Sequence, residues 1–203
     1  MKILYQGSPG AYSHLAALEA YPDAEIISCK TFDECFVKAE ANKELRIIIP
    51  ESNRITGNIG IEYLIFKHRL NIYAEHYHRI EHNLLTIPGT RLENIKNVFS
   101  HQQALSQCSN FIKKNNLIEN VRADTAGSAE LISLNKDISG AAIASKLSAK
   151  IYKLEITKSN IENEKGNATR FLIMGKPISQ PEFGKRKYIT SFLFKLKDKP
   201  AAL

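Results

Sequence analysis

The sequence predicts an α/β fold with mixed, mainly parallel sheets. Apolar strands alternate with helix-patterned stretches along most of the 203 residues, the rhythm of strand, right-handed crossover and parallel strand. Leu45 to Ile49 reads as a fully buried strand. Polar loops follow the strands, at the edge where open α/β sheets take ligands.

In chain order, Lys2 to Tyr5 reads as a strand and leads through Gln6-Gly7-Ser8-Pro9-Gly10-Ala11-Tyr12-Ser13 into a helix marked by Leu15, Ala16, Leu18 and Ala20. That loop reads either as an anion site at a helix start or as a plain turn; it is neither GxGxxG nor a P-loop. Ile26 and Ile27 mark a second strand. Thr31-Phe32-Asp33-Glu34 has capping-box spacing and opens a helix with Phe32, Cys35, Phe36 and Ala39 on one face. The buried strand then ends in Pro50 to Gly57, where Asn53 and Arg54 set an amide beside a cation. This loop reads equally as a ligand loop and as an ordinary one.

Ile59 to Phe66 predicts a helix. Leu70 to Tyr73 predicts a strand that runs on past His76, His78 and His82 through Leu84, Leu85 and Ile87 to a Pro88-Gly89 turn. Three histidines on one strand face would spread over about 20 Å, which suits one tetrahedral metal poorly, so they read as partly exposed strand residues. Ile95 to Phe99 is a further strand, with Ser100 as N-cap of a helix whose stripe is Leu105, Cys108, Phe111 and Ile112. Ser100 and Gln107, two turns apart, could line one side of a cleft. Val121 leads to a helix start at Asp124-Thr125-Ala126-Gly127-Ser128, and Gly140 to Ala144 is a short strand before a helix from Ser145 to Tyr152. Finally, Gly166-Asn167 supplies a turn before the buried strand Phe171 to Met174, with Thr169 and Arg170 at the junction.

Composition narrows the function classes. The formal charge is +7, yet seven basic and two acidic residues follow Gly175, leaving 21 basic against 19 acidic residues before them. A terminal basic run reads as a solvated tail rather than a nucleic-acid face. The apolar runs are too short for a membrane span or signal peptide, which predicts a soluble, cytoplasmic protein. Cys29, Cys35 and Cys108 are odd in number and lack CxxC spacing, so buried free thiols are expected. Residues 177–187 read as a linker, and Tyr188 to Leu196 as an alternating strand that needs a partner.

Six segments, in this order, resemble the prephenate dehydratase family: Gln6 to Ser13, Pro50 to Gly57, Ser100 to Cys108, Asp124 to Ala129, Ala141 to Ser145, and Asn167-Ala168-Thr169-Arg170-Phe171. The similarity spans residues 1 to about 176. Thr190 to Leu203 resembles the opening strand and turn of the ACT regulatory domain that follows in that family. The resemblance implies a two-lobed, periplasmic-binding-protein-like (type II) fold with the active site in the cleft between lobes. Residues 1–78 plus 155–176 would form the first lobe, 79–154 the second, and 188–203 the remnant of an ACT domain.

It also implies cofactor-free conversion of prephenate to phenylpyruvate in phenylalanine biosynthesis, by loss of carbon dioxide and a ring hydroxyl, with no metal and a homodimeric assembly. Thr169 would be the catalytic hydroxyl. Asn53, Ser100, Gln107, Thr125, Arg170 and Phe171 would bind substrate; that Arg170 clamps a carboxylate is an expectation from its cationic side chain, not from the resemblance. Where the family has Pro-x-Glu-Asn-Ser, this sequence has Pro50-Glu51-Ser52-Asn53-Arg54. The same loops also suit arogenate as substrate, or a binding module without turnover.

Overall fold

The computed structural model describes residues 1–176; the expected linker and ACT remnant lie outside the described residues. Two sheets form. The first half of the chain lays down β1 (Lys2–Gln6), α1 (Tyr12–Ala20), β2 (Glu25–Cys29), α2 (Phe32–Ala41), β3 (Leu45–Asn53), β4 (Gly57–Asn58), α3 (Glu62–Lys67) and β5 (Asn71–Arg79). The second lays down β6 (Asn83–Thr86), β7 (Asn97–His101), α4 (Gln102–Gln107), α5 (Ser109–Lys114), β8 (Ile118–Arg122), α6 (Thr125–Asn135), β9 (Gly140–Ala144), α7 (Lys146–Tyr152), β10 (Glu155–Lys158) and β11 (Ala168–Gly175).

The first sheet has the order β2-β1-β3-β11-β5, with β4 added to β3, and the second the order β10-β6-β9-β7-β8. Within them, β1 runs parallel to β2 and β3, and β7 parallel to β8 and β9. However, β11 is antiparallel to both its neighbours, as are β6 to β9 and β10 to β6. The pairing is therefore more mixed than the βα rhythm predicts, because β11 returns to the first sheet from the second.

The lobe boundaries also shift. β10 pairs with β6, so 155–158 belong to the second lobe, not the first. The strand expected from Leu70 to Ile87 is two strands in two sheets, parted at Ile80-Glu81-His82. That short link and 159–167 are the two crossovers, and they pair with each other: Ile80 N–H donates to Asn167 O (2.9 Å) and Ile161 N–H to His82 O (3.0 Å).

Each lobe has its own core on both sheet faces. In the first, Ile3, Tyr5, Ile48, Phe171 and Ile173 pack against Ala16 and Ala17 of α1. The opposite face carries Leu4, Ile47, Ile49, Leu172 and Met174 against Phe36 and Ala39 of α2. In the second, Ala142 and Ala144 pack on Ala129 and Ile132 of α6.

The loop after β1 does not stand open as an anion site. It docks on the second lobe, where Ser145 and Ser148 hydroxyls both donate to Gly10 O (2.6 and 3.0 Å) and Tyr152 donates to Pro9 O (2.9 Å). Gly10 has φ +94°, and a Cβ there would lie 2.6 Å from Ser148 Oγ. Only glycine permits this approach.

Candidate active site

Asn53 ends β3 and Thr169 lies opposite it near the start of β11. Asn53 Nδ2 donates to Thr169 Oγ1 at 2.9 Å, between two buried side chains. The amide is held in this orientation because its Oδ1 accepts from the N–H groups of Ile55 (3.0 Å) and Thr56 (3.1 Å). Asn53 thus fills one lone pair of the Thr169 oxygen. Among the described residues no acceptor takes the Thr169 hydroxyl proton.

A second chain of hydrogen bonds crosses from lobe to lobe. Tyr12, at the start of α1, lies 2.8 Å from His82 Nδ1, and its hydroxyl also reaches Glu81 O at 2.9 Å. His82 Nε2 lies 2.8 Å from Gln107 Oε1, which also accepts from Asn167 Nδ2 at 3.2 Å. Burial pushes the Tyr12 phenol well above its ordinary range and the His82 imidazole below its own. A neutral His82 then donates from Nε2 to Gln107, and the single Tyr12 proton is shared between His82 Nδ1 and Glu81 O. Asn167 Oδ1 is buried without a partner among the described residues. Close by, a cavity of about 110 Å³ is lined by Ile55, Ser106, Gln107, Glu162, Asn163 and Glu164.

The other expected site residues are placed differently. Arg170 follows Thr169 along a strand and so leaves the opposite face. Its Nε donates to Glu75 Oε2 (2.7 Å) and its Nη1 to Glu51 Oε2 (3.3 Å), so the guanidinium is engaged by two carboxylates instead of standing open as a clamp. Phe171 is 1% exposed in the core beneath α1. Ser100 does not cap a helix: it is a fully buried residue of β7 that donates to Ile143 O (2.6 Å), while His101 caps α4. Thr125 opens α6 behind its N-cap Asp124 and makes no bond to the Asn53–Thr169 pair. Of the seven candidates, the structure unites Asn53 with Thr169 directly and brings Gln107 to the same junction through Asn167.

The departures at 52 and 54 have a geometric outcome. Ser52 donates to Glu51 Oε2 (2.6 Å), and that oxygen also serves Arg170, so Glu51 does not reach the Thr169 face. Arg54 donates to Gly166 O (3.3 Å) from the rim of the turn before Thr169 and has no carboxylate within ion-pair distance among the described residues. The joining of Tyr12, His82 and Asn167 lies beyond sequence reading, since nothing in their local patterns says that positions 25 to 70 residues apart will meet.

Burial raises the Cys108 thiol, which therefore remains neutral and is no activated nucleophile. The arrangement offers fixed neutral hydrogen-bond donors and acceptors, suited to positioning a small ligand and donating to a departing oxygen.

Two α/β lobes on paired crossovers, with a bonded amide–hydroxyl pair beside the second crossover, define a two-lobed α/β protein. The family model described as prephenate dehydratase matches residues 3–179, and the chain belongs to that family. It is 40% identical to arogenate dehydratase/prephenate dehydratase 1, chloroplastic, of Arabidopsis thaliana, over all of this chain and 52% of that protein. The chain spans about half the length of the curated relatives it matches.

Among solved structures, one described as GqqA, a novel type of quorum quenching acylases, superposes with a TM-score of 0.84 at 33% identity, covering 91% of this chain and 67% of that one. Prephenate dehydratase of Arthrobacter aurescens in complex with L-Phe shares the fold, with a TM-score of 0.82 at 24% identity over 91% of this chain and 63% of the other.

Proposed function

We propose that the chain is a cofactor-free dehydratase unit that converts prephenate to phenylpyruvate. The observation that carries this reading is the bond from Asn53 to Thr169, because it makes the Thr169 oxygen an acceptor there and leaves its proton free for another partner. Prephenate loses carbon dioxide and its ring hydroxyl as the ring becomes aromatic, and the carbon–oxygen bond breaks more easily when the departing oxygen receives a hydrogen bond. A threonine hydroxyl is a weak acid, so Thr169 donates a hydrogen bond and stabilises developing negative charge without full proton transfer. Gln107, held by His82 and Asn167, forms the second-lobe wall. Arg54, with no carboxylate partner among the described residues, takes over the role expected of Arg170 and meets a substrate carboxylate.

Arogenate is the second substrate to test, because the names of several relatives couple both activities. Purified protein would be given prephenate or arogenate, with phenylpyruvate followed by its absorbance in alkali and phenylalanine by chromatography. Turnover of either acid that is lost in Thr169→Ala supports the reading. Turnover unchanged in Thr169→Ala refutes the mechanism, and ligand-induced thermal stabilisation without turnover assigns a binding module instead. We also propose a homodimer, on the alternating pattern of Tyr188 to Leu196 alone; a monomeric mass by light scattering refutes it.

A further inference from the structure

Glu19 of α1 faces two histidines of β5. Its Oε2 lies 2.8 Å from His78 Nδ1 and 3.2 Å from His76 Nε2, and the three potential ligand atoms lie within 4.8 Å of one another. Two positions apart on a strand, both rings leave the same face, and α1 packs its carboxylate onto that face. Side-chain exposure rises from 7% at His78 through 24% at His76 to 45% at Glu19, so the cluster has a buried floor and an open mouth. The mouth gives on to a groove of about 300 Å³, which Glu19 and His78 line together with Tyr12, Arg79 and Lys146. His82, grouped with these histidines by sequence, lies instead in the crossover, and Glu19 takes its place.

We propose that Glu19, His76 and His78 bind a divalent transition metal of the zinc class. Two imidazole nitrogens and one carboxylate oxygen are its preferred donors, with a fourth position open to water. Tetrahedral zinc with bonds of about 2.0–2.1 Å sets neighbouring donors about 3.3 Å apart. The His76–carboxylate separation of 3.2 Å already falls close to that value, the His78–carboxylate separation of 2.8 Å must open on binding, and the two ring nitrogens lie within 4.8 Å of each other. Binding takes the two ring nitrogens that now face Glu19 Oε2, His78 Nδ1 and His76 Nε2, with each ring's proton on its other nitrogen. The metal would tie α1 to the edge strand of the first sheet, and α1 carries Tyr12 to its bond with His82.

The test uses untagged full-length protein, stripped with chelator and titrated with zinc chloride by calorimetry, and with cobalt chloride by visible absorption. Saturation near one equivalent, with cobalt bands of a four- or five-coordinate site and a raised Tm, is expected. Affinity should fall at least tenfold in His76→Gln and in Glu19→Gln, both at partly exposed positions, and stay unchanged in His101→Gln. No saturable binding up to millimolar metal, or equal affinity in the His76→Gln/Glu19→Gln double variant, overturns the proposal. Neither outcome depends on whether the protein turns over prephenate.

Discussion

Asn53→Asp is the sharpest perturbation of the proposed mechanism, because it reverses one hydrogen bond and adds a buried negative charge at nearly constant shape. The introduced carboxylate keeps an oxygen for the Ile55 and Thr56 amides, which now bond Asn53 Oδ1 at 3.0 and 3.1 Å. Its other oxygen replaces the Nδ2 donor 2.9 Å from Thr169 Oγ1, so the threonine proton turns inward to the carboxylate. If that proton supplies the usual gain from a positioned donor, kcat falls by about 10²- to 10⁴-fold, or about 2.7–5.4 kcal/mol of transition-state stabilisation. The three hydrogen bonds to the carboxylate offset part of the cost of burying its charge, so the protein should remain folded. Thr169→Val should lose a similar factor while leaving Asn53 Nδ2 unpaired, at a cost of about 1–3 kcal/mol in stability. The double variant should be no slower than the worse single variant. Steady-state phenylpyruvate assays with urea unfolding in parallel read both quantities. A kcat for Asn53→Asp within threefold of wild type, in a folded protein, refutes the reasoning.

Gly10→Ala places a Cβ 2.6 Å from Ser148 Oγ and 2.9 Å from its Cα at φ +94°, so it should lower the unfolding free energy by about 1–3 kcal/mol; an unchanged urea midpoint would show that the lobes do not need this contact. Arg170→Met should cost about 1 kcal/mol of stability through Glu75 and Glu51 and leave KM within twofold, whereas Arg54→Ala should raise KM severalfold; the reverse pattern restores Arg170 as the clamp. His82 has its imidazole pKa lowered from 6.5 by burial. It therefore contributes stability that is present above that value and lost as pH falls through its lowered folded value. Denaturation curves between about pH 7 and pH 5 should accordingly show a shallower loss of stability in His82→Gln than in wild type.

What is legible in the sequence is local. Thr31 caps α2 by accepting from Glu34 N–H (3.1 Å) as its spacing implies, and α6 and α7 begin where the sequence starts them, behind the caps Asp124 and Ser145, because a cap is decided within four residues. Differences arise where a partner distant in sequence decides. Ser100 looks like a cap until β7 is paired with β8 through His101↔Arg122, which keeps Ser100 inside a strand. The link Ile80-Glu81-His82 looks like more strand because its apolar alternation continues through it, and only the separate partners of β5 and β6 divide the two. β10, Glu155-Ile156-Thr157-Lys158, carries one apolar residue and borders its sheet, so it has no core signature to read.

The site shows the same division between local and distant information. Thr169 is legible as a hydroxyl at a turn, but its meaning depends on Asn53, 116 residues earlier, and pattern alone cannot join them. The family resemblance can, and it also points to residues that share a motif without sharing a face. In a strand, Thr169, Arg170 and Phe171 alternate: one accepts from Asn53, one is neutralised by carboxylates on the far side, and one fills the core. The substitution at 52 can be read in the same way. Ser52 and Glu51 serve Arg170, while Asn53 alone serves Thr169, so the departure from the family pattern falls on the supporting side of the strand and leaves the proposed donor pair intact.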